Sequence, residues 1–385
     1  MKIGLLLPSA LMYEHLSGGK IFAPRDLFLD LARGLAVRGH RVRVYAPTET
    51  ELQADVVQGS MSLIISEPYA MKLRYVGDST RDIIKRQQAR FEYEIDLTAR
   101  AYKDAGEGRL DIIHSFLEFS AHYFAEVTRI PTVYTVHDTL PDKKYLDFWR
   151  YERFPQDNYV AISRSQAEEL EPLVKVTDVV YNGIDPADYT LQPDRADYLL
   201  YAGRYMPEKG VEDAIRTAND TKTLLVMAGS KEYKEIVYYI NTIKPYLGSP
   251  YVKEVGFMDN KHKNGLYGGA KALLFPIRWA EPFGMVMIEA MACGTPVIAY
   301  NNGSVAEVIK DGVTGFIIEE DKGDTGNQGN WAIKKKGVEG LAEAVGRIGE
   351  IDRRTCRKHV EENFTVERMV QGYEEVYKKV IDSKK

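Results

Sequence analysis

Cysteine is nearly absent from this chain. Two stand in 385 residues, Cys293 and Cys356, far apart and without metal-ligand spacing. A disulfide framework is excluded, and a reducing cytoplasm is the simplest setting. No apolar run approaches the ~18 residues of a membrane span. Ile3–Leu7, directly after Met1-Lys2, is too short for a signal-peptide core. Peripheral contact with a membrane surface stays open. Charge of one sign is lacking too: 51 Lys and Arg against 56 Asp and Glu leave a net −5. Nucleic acid is therefore not expected as a main partner. No Gly-x-Gly-x-x-Gly follows the first strand, which disfavours a dinucleotide-dependent oxidoreductase. No internal repeat is found.

With 44% apolar and 28% charged residues, the composition is that of a globular protein. Its length asks for two domains of roughly 190 residues. Lys2–Leu7 reads as a strand, followed by a loop with Ser17-Gly18-Gly19. Leu27, Leu31 and Leu35, with Phe28 and Ala32, mark an amphipathic helix closed by Gly39. Ala23 precedes Pro24, which disfavours helix at that point. Arg41–Ala46 is the next strand. Strand, glycine loop, helix, strand is an order that brings backbone amides to a ligand phosphate. Gly18 and Gly19 are candidates for that role, and a plain tight turn fits them as well. Ser79–Ala105 reads as a helix with Ile83, Ile84, Phe91, Ile95 and Ala99 inward, and carries no evident chemistry. Asp111–Ser115 and Thr132–Asp138 are strands ending in His114 and His137. Strand carboxyl ends are where ligands gather in open α/β sheets. Ser163 is a candidate N-cap for a helix at Arg164–Leu170. Val179–Asp185 reads as the last strand of this half, and Pro186–Asp197 as a linker.

Tyr198–Tyr201 opens a second sheet. The loop Gly203–Gly210 places Arg204 and Lys209 between a strand and a helix at Val211–Ala218. A guanidinium and an ammonium together suit a diphosphate. Thr223–Gly229, Val252–Phe257 and Ala272–Pro276 are further strands. Tyr233–Leu247 reads as a helix broken near Pro245. Then comes RWAEPFGMVMIEAMACGTPVIA, Arg278–Ala299, with Glu281 and Glu289 flanking a Pro-Phe-Gly turn. Pro282 favours a helix start, Gly284 allows close backbone approach, and the first helical N–H groups form an anion site. Trp279 either walls a ligand pocket or packs. Asp321–Lys336 is a polar loop. Gly340–Ile351 and Asp352–Ser383 are helical.

EPFGMVMIEAMACGTPVIA resembles the E-x7-E signature of glycosyltransferase family 4, retaining enzymes of the GT-B fold. GSVAEVI at 303–309, DGVTGF at 311–316, the Gly203-Arg204…Glu208-Lys209-Gly210 loop and Asn182-Gly183-Ile184-Asp185 fit the same family. The resemblance runs over nearly the whole chain. It implies an α/β protein of two doubly wound Rossmann-like domains facing across a cleft. Residues 1–189 would form the acceptor-side domain and 190–365 the nucleotide-sugar domain, with a helix at 366–385 crossing back. It implies a hexosyltransferase with Arg204 and Lys209 on the diphosphate and Glu289 on the ribose. Backbone at Phe283, Gly284, Met285 and Val286 would bind the sugar or its phosphate, with Glu281 on the sugar hydroxyls. Gly256 and Phe257 would face the base, Gly18 and Gly19 the phosphate, and His137 the reacting sugar. His40 and His114 read as structural. No Asp-x-Asp occurs in the chain, so neither a divalent metal nor a cofactor is expected. UDP-glucose is the favoured donor and GDP-mannose the second. The acceptor, a small molecule, glycan or lipid, and the oligomeric state are not legible. An epimerase or phosphorylase of the same fold, and a sugar-nucleotide-binding protein without catalysis, remain the alternatives.

Overall fold

The computed structural model describes residues 1–13, 23–65, 80–116, 120–194, 197–230, 235–256, 260–321 and 329–383. Two compact units emerge. One comprises residues 1–162, 167–183 and 366–385, the other 163–166 and 184–365.

The first unit is built on a seven-stranded parallel sheet. Its strands are β1 (Lys2–Leu6), β2 (Arg41–Tyr45), β3 (Asp55–Val57), β4 (Ile112–Ser115), β5 (Thr132–Thr135), β6 (Asn158–Ala161) and β7 (Val176–Val179). They lie in the order β3-β2-β1-β4-β5-β6-β7. Ile3, Leu5, Leu6, Ile112, Ile113 and Val133 are fully buried, as a parallel sheet covered on both faces requires. The 3-residue edge strand β3 is too short to show a period. β7 lies earlier than Val179–Asp185 suggests. Beyond it Ile184 leaves the sheet and bridges Thr365, its N–H reaching the Phe364 carbonyl at 3.0 Å.

The helix Ala23–Val37 begins at the residue before Pro24, because a proline in the first turn interrupts no intrahelical bond. Leu27, Phe28, Leu31, Ala32 and Leu35 are its buried face. The helix Thr80–Gly106 buries Tyr93, Leu97, Ala101 and Ala105, whereas Ile84 and Phe91 are exposed. The inward face is thus rotated from the aliphatic one the sequence favours. Tyr93 explains the difference, since its ring is buried while its hydroxyl donates to the Gln58 carbonyl at 2.6 Å. Ser163 caps the helix Arg164–Leu170 as expected, its hydroxyl accepting from Gln166 N–H at 3.1 Å.

The C-terminal helix Val366–Asp382 belongs to this first unit. It comes so near Ala23–Val37 that a Cβ at Gly34 would overlap the Val370 side chain. Glu374 takes Arg38 at 2.8 Å and His40 at 2.6 Å, which gives His40 its structural role. His114 is fully buried between the Tyr377 hydroxyl and the Thr135 hydroxyl, each at 2.7 Å, and is structural too.

The second unit has a six-stranded parallel sheet: β8 (Tyr198–Ala202), β9 (Leu224–Ala228), β10 (Val252–Gly256), β11 (Ala272–Phe275), β12 (Val297–Tyr300) and β13 (Gly315–Ile318). The order is β10-β9-β8-β11-β12-β13. Strand order reverses between β8 and β11, so the loops leaving those two strands flank the crevice where such sheets bind ligands. The segment before β10 is no regular helix. It runs as Ile236–Tyr238 α-helix, Tyr239–Ile243 π-helix and Lys244–Gly248 3-10 helix. Pro245, which has no N–H to give, accounts for the change of winding. Among the described residues no helix is long and apolar enough to cross a membrane.

Candidate active site

Two loops meet at the reversal point of the second sheet. Gly203–Gly210 leaves β8, and Pro276–Gly284 leaves β11. Gly210, at φ +66°, leaves no room for a side chain, because a Cβ there would overlap the Pro276 carbonyl. Arg278 N–H donates to the Glu208 carbonyl at 2.8 Å and locks the loops together. The helix Val211–Thr221 follows, and its buried Asp213 accepts from Arg278 Nη2 at 2.7 Å and from the Tyr300 hydroxyl at 2.9 Å.

This clamp brings Lys209 to Glu281. Lys209 Nζ donates to Glu281 Oε2 at 2.7 Å, and Trp279 Nε1–H donates to the same oxygen at 2.7 Å. The ammonium also lies over the Trp279 indole, 4.4 Å from its centroid, a placement favoured by the ring's negative face. The Glu281 backbone is held from the other side. Ser304 N–H donates to the Glu281 carbonyl at 2.9 Å, and a Cβ at Gly303 (φ +60°) would overlap the Glu281 backbone. Trp279 is therefore part of the charged cluster rather than plain packing.

The helix after the Pro-Phe-Gly turn spans Met285–Ala292. Gly284 is its N-cap at φ +77°, outside the right-handed helical region. Phe283 is accordingly not helical. Its ring is buried edge-on to Phe364, and its carbonyl accepts from the Ser304 hydroxyl at 2.9 Å. The helix tip is Gly284, Met285 and Val286, and the first helical N–H groups have no acceptor within the helix. A Cβ on Gly284 would sit 3.4 Å from Glu281 Cγ, so tip and carboxylate are neighbours.

Glu289 lies four residues into this helix, about 6 Å further along the axis. It is only 7% exposed. Lys263 Nζ at 2.8 Å and the Tyr189 hydroxyl at 3.3 Å donate to Oε1, and the Tyr267 hydroxyl at 2.8 Å donates to Oε2. Burial and the Glu289 charge push both tyrosine hydroxyls well above their ordinary pKa. Lys263 and Tyr267 share one face of the helix Asn260–Gly269, four residues apart. The spacing shows only that the two share a face; that this face meets Glu289 depends on how the two helices dock.

Arg204 is partly exposed, 3.7 Å from Glu235, with its carbonyl taken by the Tyr201 hydroxyl at 2.9 Å. Gly256 ends β10 at φ +78° with open space where a Cβ would stand, and its carbonyl accepts from Gly229 N–H at 2.9 Å. Arg204 and Gly256 thus lie at the same carboxyl edge of the sheet as Lys209. Gly18, Gly19 and Phe257 lie outside the described residues. No three His, Cys, Asp or Glu side chains gather as a metal-ligand group among the described residues.

Residues 189–327 match the family model of Glycosyl transferases group 1, and residues 27–188 that of Glycosyltransferase Family 4. The chain belongs to this glycosyltransferase family, of the GT-B type. The glycosyltransferase is 26% identical to the N-acetyl-alpha-D-glucosaminyl L-malate synthase of Bacillus anthracis over 91% of this chain and 92% of that one. It is also 26% identical to an uncharacterized glycosyltransferase of Methanocaldococcus jannaschii, over 55% of this chain and 63% of that protein's length. A solved structure of Anabaena HepE in complex with UDP and glucose superposes with a TM-score of 0.67 at 19% identity. It covers 98% of this chain and all of that one, and so shares the fold.

His137 of the glycosyltransferase lies just past β5, in the first unit. Its ring packs on Phe116 with centroids 4.9 Å apart. Its buried Nε2 has no hydrogen-bond partner among the described residues. Burial holds its pKa down to about 4, so the ring is neutral at pH 7 and offers one donor and one acceptor nitrogen.

Proposed function

We propose that this enzyme moves a hexose from a nucleotide diphosphate sugar to an acceptor hydroxyl, with retention of anomeric configuration and without a divalent metal. UDP-glucose is the first choice of donor and GDP-mannose the second. The observation that carries the reading is the convergence of Lys209, Trp279 and Glu281 beside the tip of the helix Met285–Ala292. Lys209, Arg204 and the tip amides stabilise the charge that grows on the diphosphate as the C1–O bond breaks. Glu281 holds sugar hydroxyls, Glu289 ribose hydroxyls, and Gly256 lies toward the base. His137 offers a nitrogen to a substrate hydroxyl. The acceptor oxygen attacks C1 from the leaving-group face, and a phosphate oxygen of the departing diphosphate takes its proton. That HepE was crystallised with UDP and glucose supports the uridine donor. The setting proposed is cytoplasmic.

The test is a thermal-shift screen of UDP- and GDP-sugars, followed by mass spectrometry and anomeric NMR of the products in EDTA. Transfer in EDTA with the donor's anomeric configuration kept is expected. Activity abolished by EDTA and restored by manganese would overturn the metal-free reading. An inverted product would overturn retention.

A further inference from the structure

Glu289 raises a physical problem that its neighbours solve. A carboxylate 7% exposed loses most of its hydration, and protein donors must take the place of the lost water. Among the described residues one ammonium reaches it, Lys263 Nζ at 2.8 Å, itself about one-fifth exposed. Its other partners, Tyr267 and Tyr189, are neutral hydroxyls. The thiol of Cys293 is near on its own helix, and from the helix Arg353–Asn363 Arg357 is turned to the Tyr189 and Ala292 carbonyls.

Lys263 is also fixed in place. Its neighbour Asn264 donates to the Asp188 carbonyl at 2.8 Å and accepts from Thr190 N–H at 3.3 Å. The helix Asn260–Gly269 is thereby stapled to the segment that carries Tyr189. Three donors occupy three of the roughly four lone-pair directions of the carboxylate, and they orient the remaining one toward a single ribose hydroxyl.

We propose that Lys263 is a positioning residue for the nucleoside half of the donor: its ion pair holds the Glu289 carboxylate aimed, so that the site selects ribose over 2′-deoxyribose. This rests on the assignment of Glu289 to the ribose. Lys263 itself touches the carboxylate, not the reacting atoms.

The experiment measures calorimetric binding of UDP and GDP, each against its 2′-deoxy counterpart, to the full chain. Wild type, Lys263→Met, Lys263→Arg and Glu289→Gln are compared, with Lys263→Gln as a second variant should Lys263→Met fold poorly. Wild type should prefer the ribonucleotide by about tenfold or more. In Lys263→Met the preference should shrink to about threefold, while Lys263→Arg restores it. Glu289→Gln should lose it. If Lys263→Met keeps the wild-type preference while Glu289→Gln loses it, the role of Lys263 is overturned and that of Glu289 stands. A wild type indifferent to the 2′-hydroxyl removes Glu289 from the ribose, and the proposal with it.

Discussion

Lys209 Nζ stands 2.7 Å from Glu281 Oε2, with the two side chains 17% and 12% exposed. The cation assigned to the leaving diphosphate and the carboxylate assigned to the sugar are thus already paired with each other. The indole of Trp279 supports both, by an N–H to the carboxylate and a π-face to the ammonium. On the proposed assignment, a donor sugar nucleotide would share Lys209 with Glu281 rather than fill a bare positive site. Charge growing on the departing phosphate would then draw the ammonium, an interaction that strengthens in the transition state.

Replacing Lys209 with Ala should lower kcat/KM about 100- to 1000-fold, the usual loss for one fixed electrostatic donor. The melting temperature should fall as well, since Glu281, 12% exposed, is left without its cation, and the rate is therefore compared well below the variant's melting temperature. Trp279→Phe keeps the ring under the ammonium and removes only the N–H. Its loss should be about tenfold or less. Steady-state kinetics beside thermal melts check both. A Lys209→Ala enzyme at wild-type rate would take this residue out of the reaction.

Gly303→Ala should abolish most activity without any contact to the reacting groups. The added methyl meets the Glu281 backbone N and O, and φ +60° is strained for alanine. Glu281 must move, and a displacement of about 1 Å can cost on the order of a hundredfold in rate. Circular dichroism should remain native. Full activity in this variant would mean that the position of Glu281 is not critical.

Much of this arrangement was legible in the chain, for identifiable reasons. Apolar runs such as Leu5-Leu6-Leu7 and Ala272–Phe275 announce buried parallel strands, and Arg204, Lys209, Glu281 and Glu289 sit in recognisable spacings. What stayed hidden depends on long-range packing. Lys263 and Tyr267 become partners of Glu289 only when the helix Asn260–Gly269 docks beside the helix Met285–Ala292, across 22 to 26 residues of sequence. The inward face of Thr80–Gly106 was misjudged because Tyr93 counts as polar until Gln58 satisfies its hydroxyl.

Arg353 is expected to be the most sensitive position for the stability of the second unit. Its buried guanidinium donates to the carbonyls of Gln192, Gly268 and Ala270 and to the Thr295 hydroxyl, at 2.5 to 2.9 Å. Arg353→Leu strands those four acceptors without donors, which should cost about 3 kcal/mol or more. Lysine should rescue little, because one ammonium cannot reproduce the fork. Urea midpoints decide the matter. A midpoint within error of wild type for Arg353→Leu would show that water replaces the guanidinium at no cost.

Acid should destabilise the first unit before any carboxylate titration dominates. Burial holds His114, His122 and His137 below the ordinary 6.5, His137 at about 4. In the unfolded chain these rings take protons near pH 6.5, whereas the folded ones do not until lower pH. The unfolded state then binds more protons, and stability falls as pH drops. For His137 the loss begins near pH 6.5, is complete near 4, and amounts to about 3 kcal/mol. Glu374, lowered to about 2 first by Arg38 and then by His40, adds to the loss as pH falls from 4.5 toward 2. Glu94 works against this trend. Burial pushes it up to about 7, so its contribution improves as pH falls from 7 to 4.5. Burial raises Glu169 in the same way. Three histidines, with His114 held well below 6.5, and the paired Glu374 thus stand against two glutamates, and a net loss on acidification is expected. Thermal melts from pH 7.5 to 4 should therefore show a steady decline. His137→Gln should flatten that decline, and Glu94→Gln should raise stability at pH 7.5 while steepening it. A wild-type melting temperature constant from pH 7 to 5, or an unchanged slope in His137→Gln, would contradict a neutral, desolvated imidazole at this strand end.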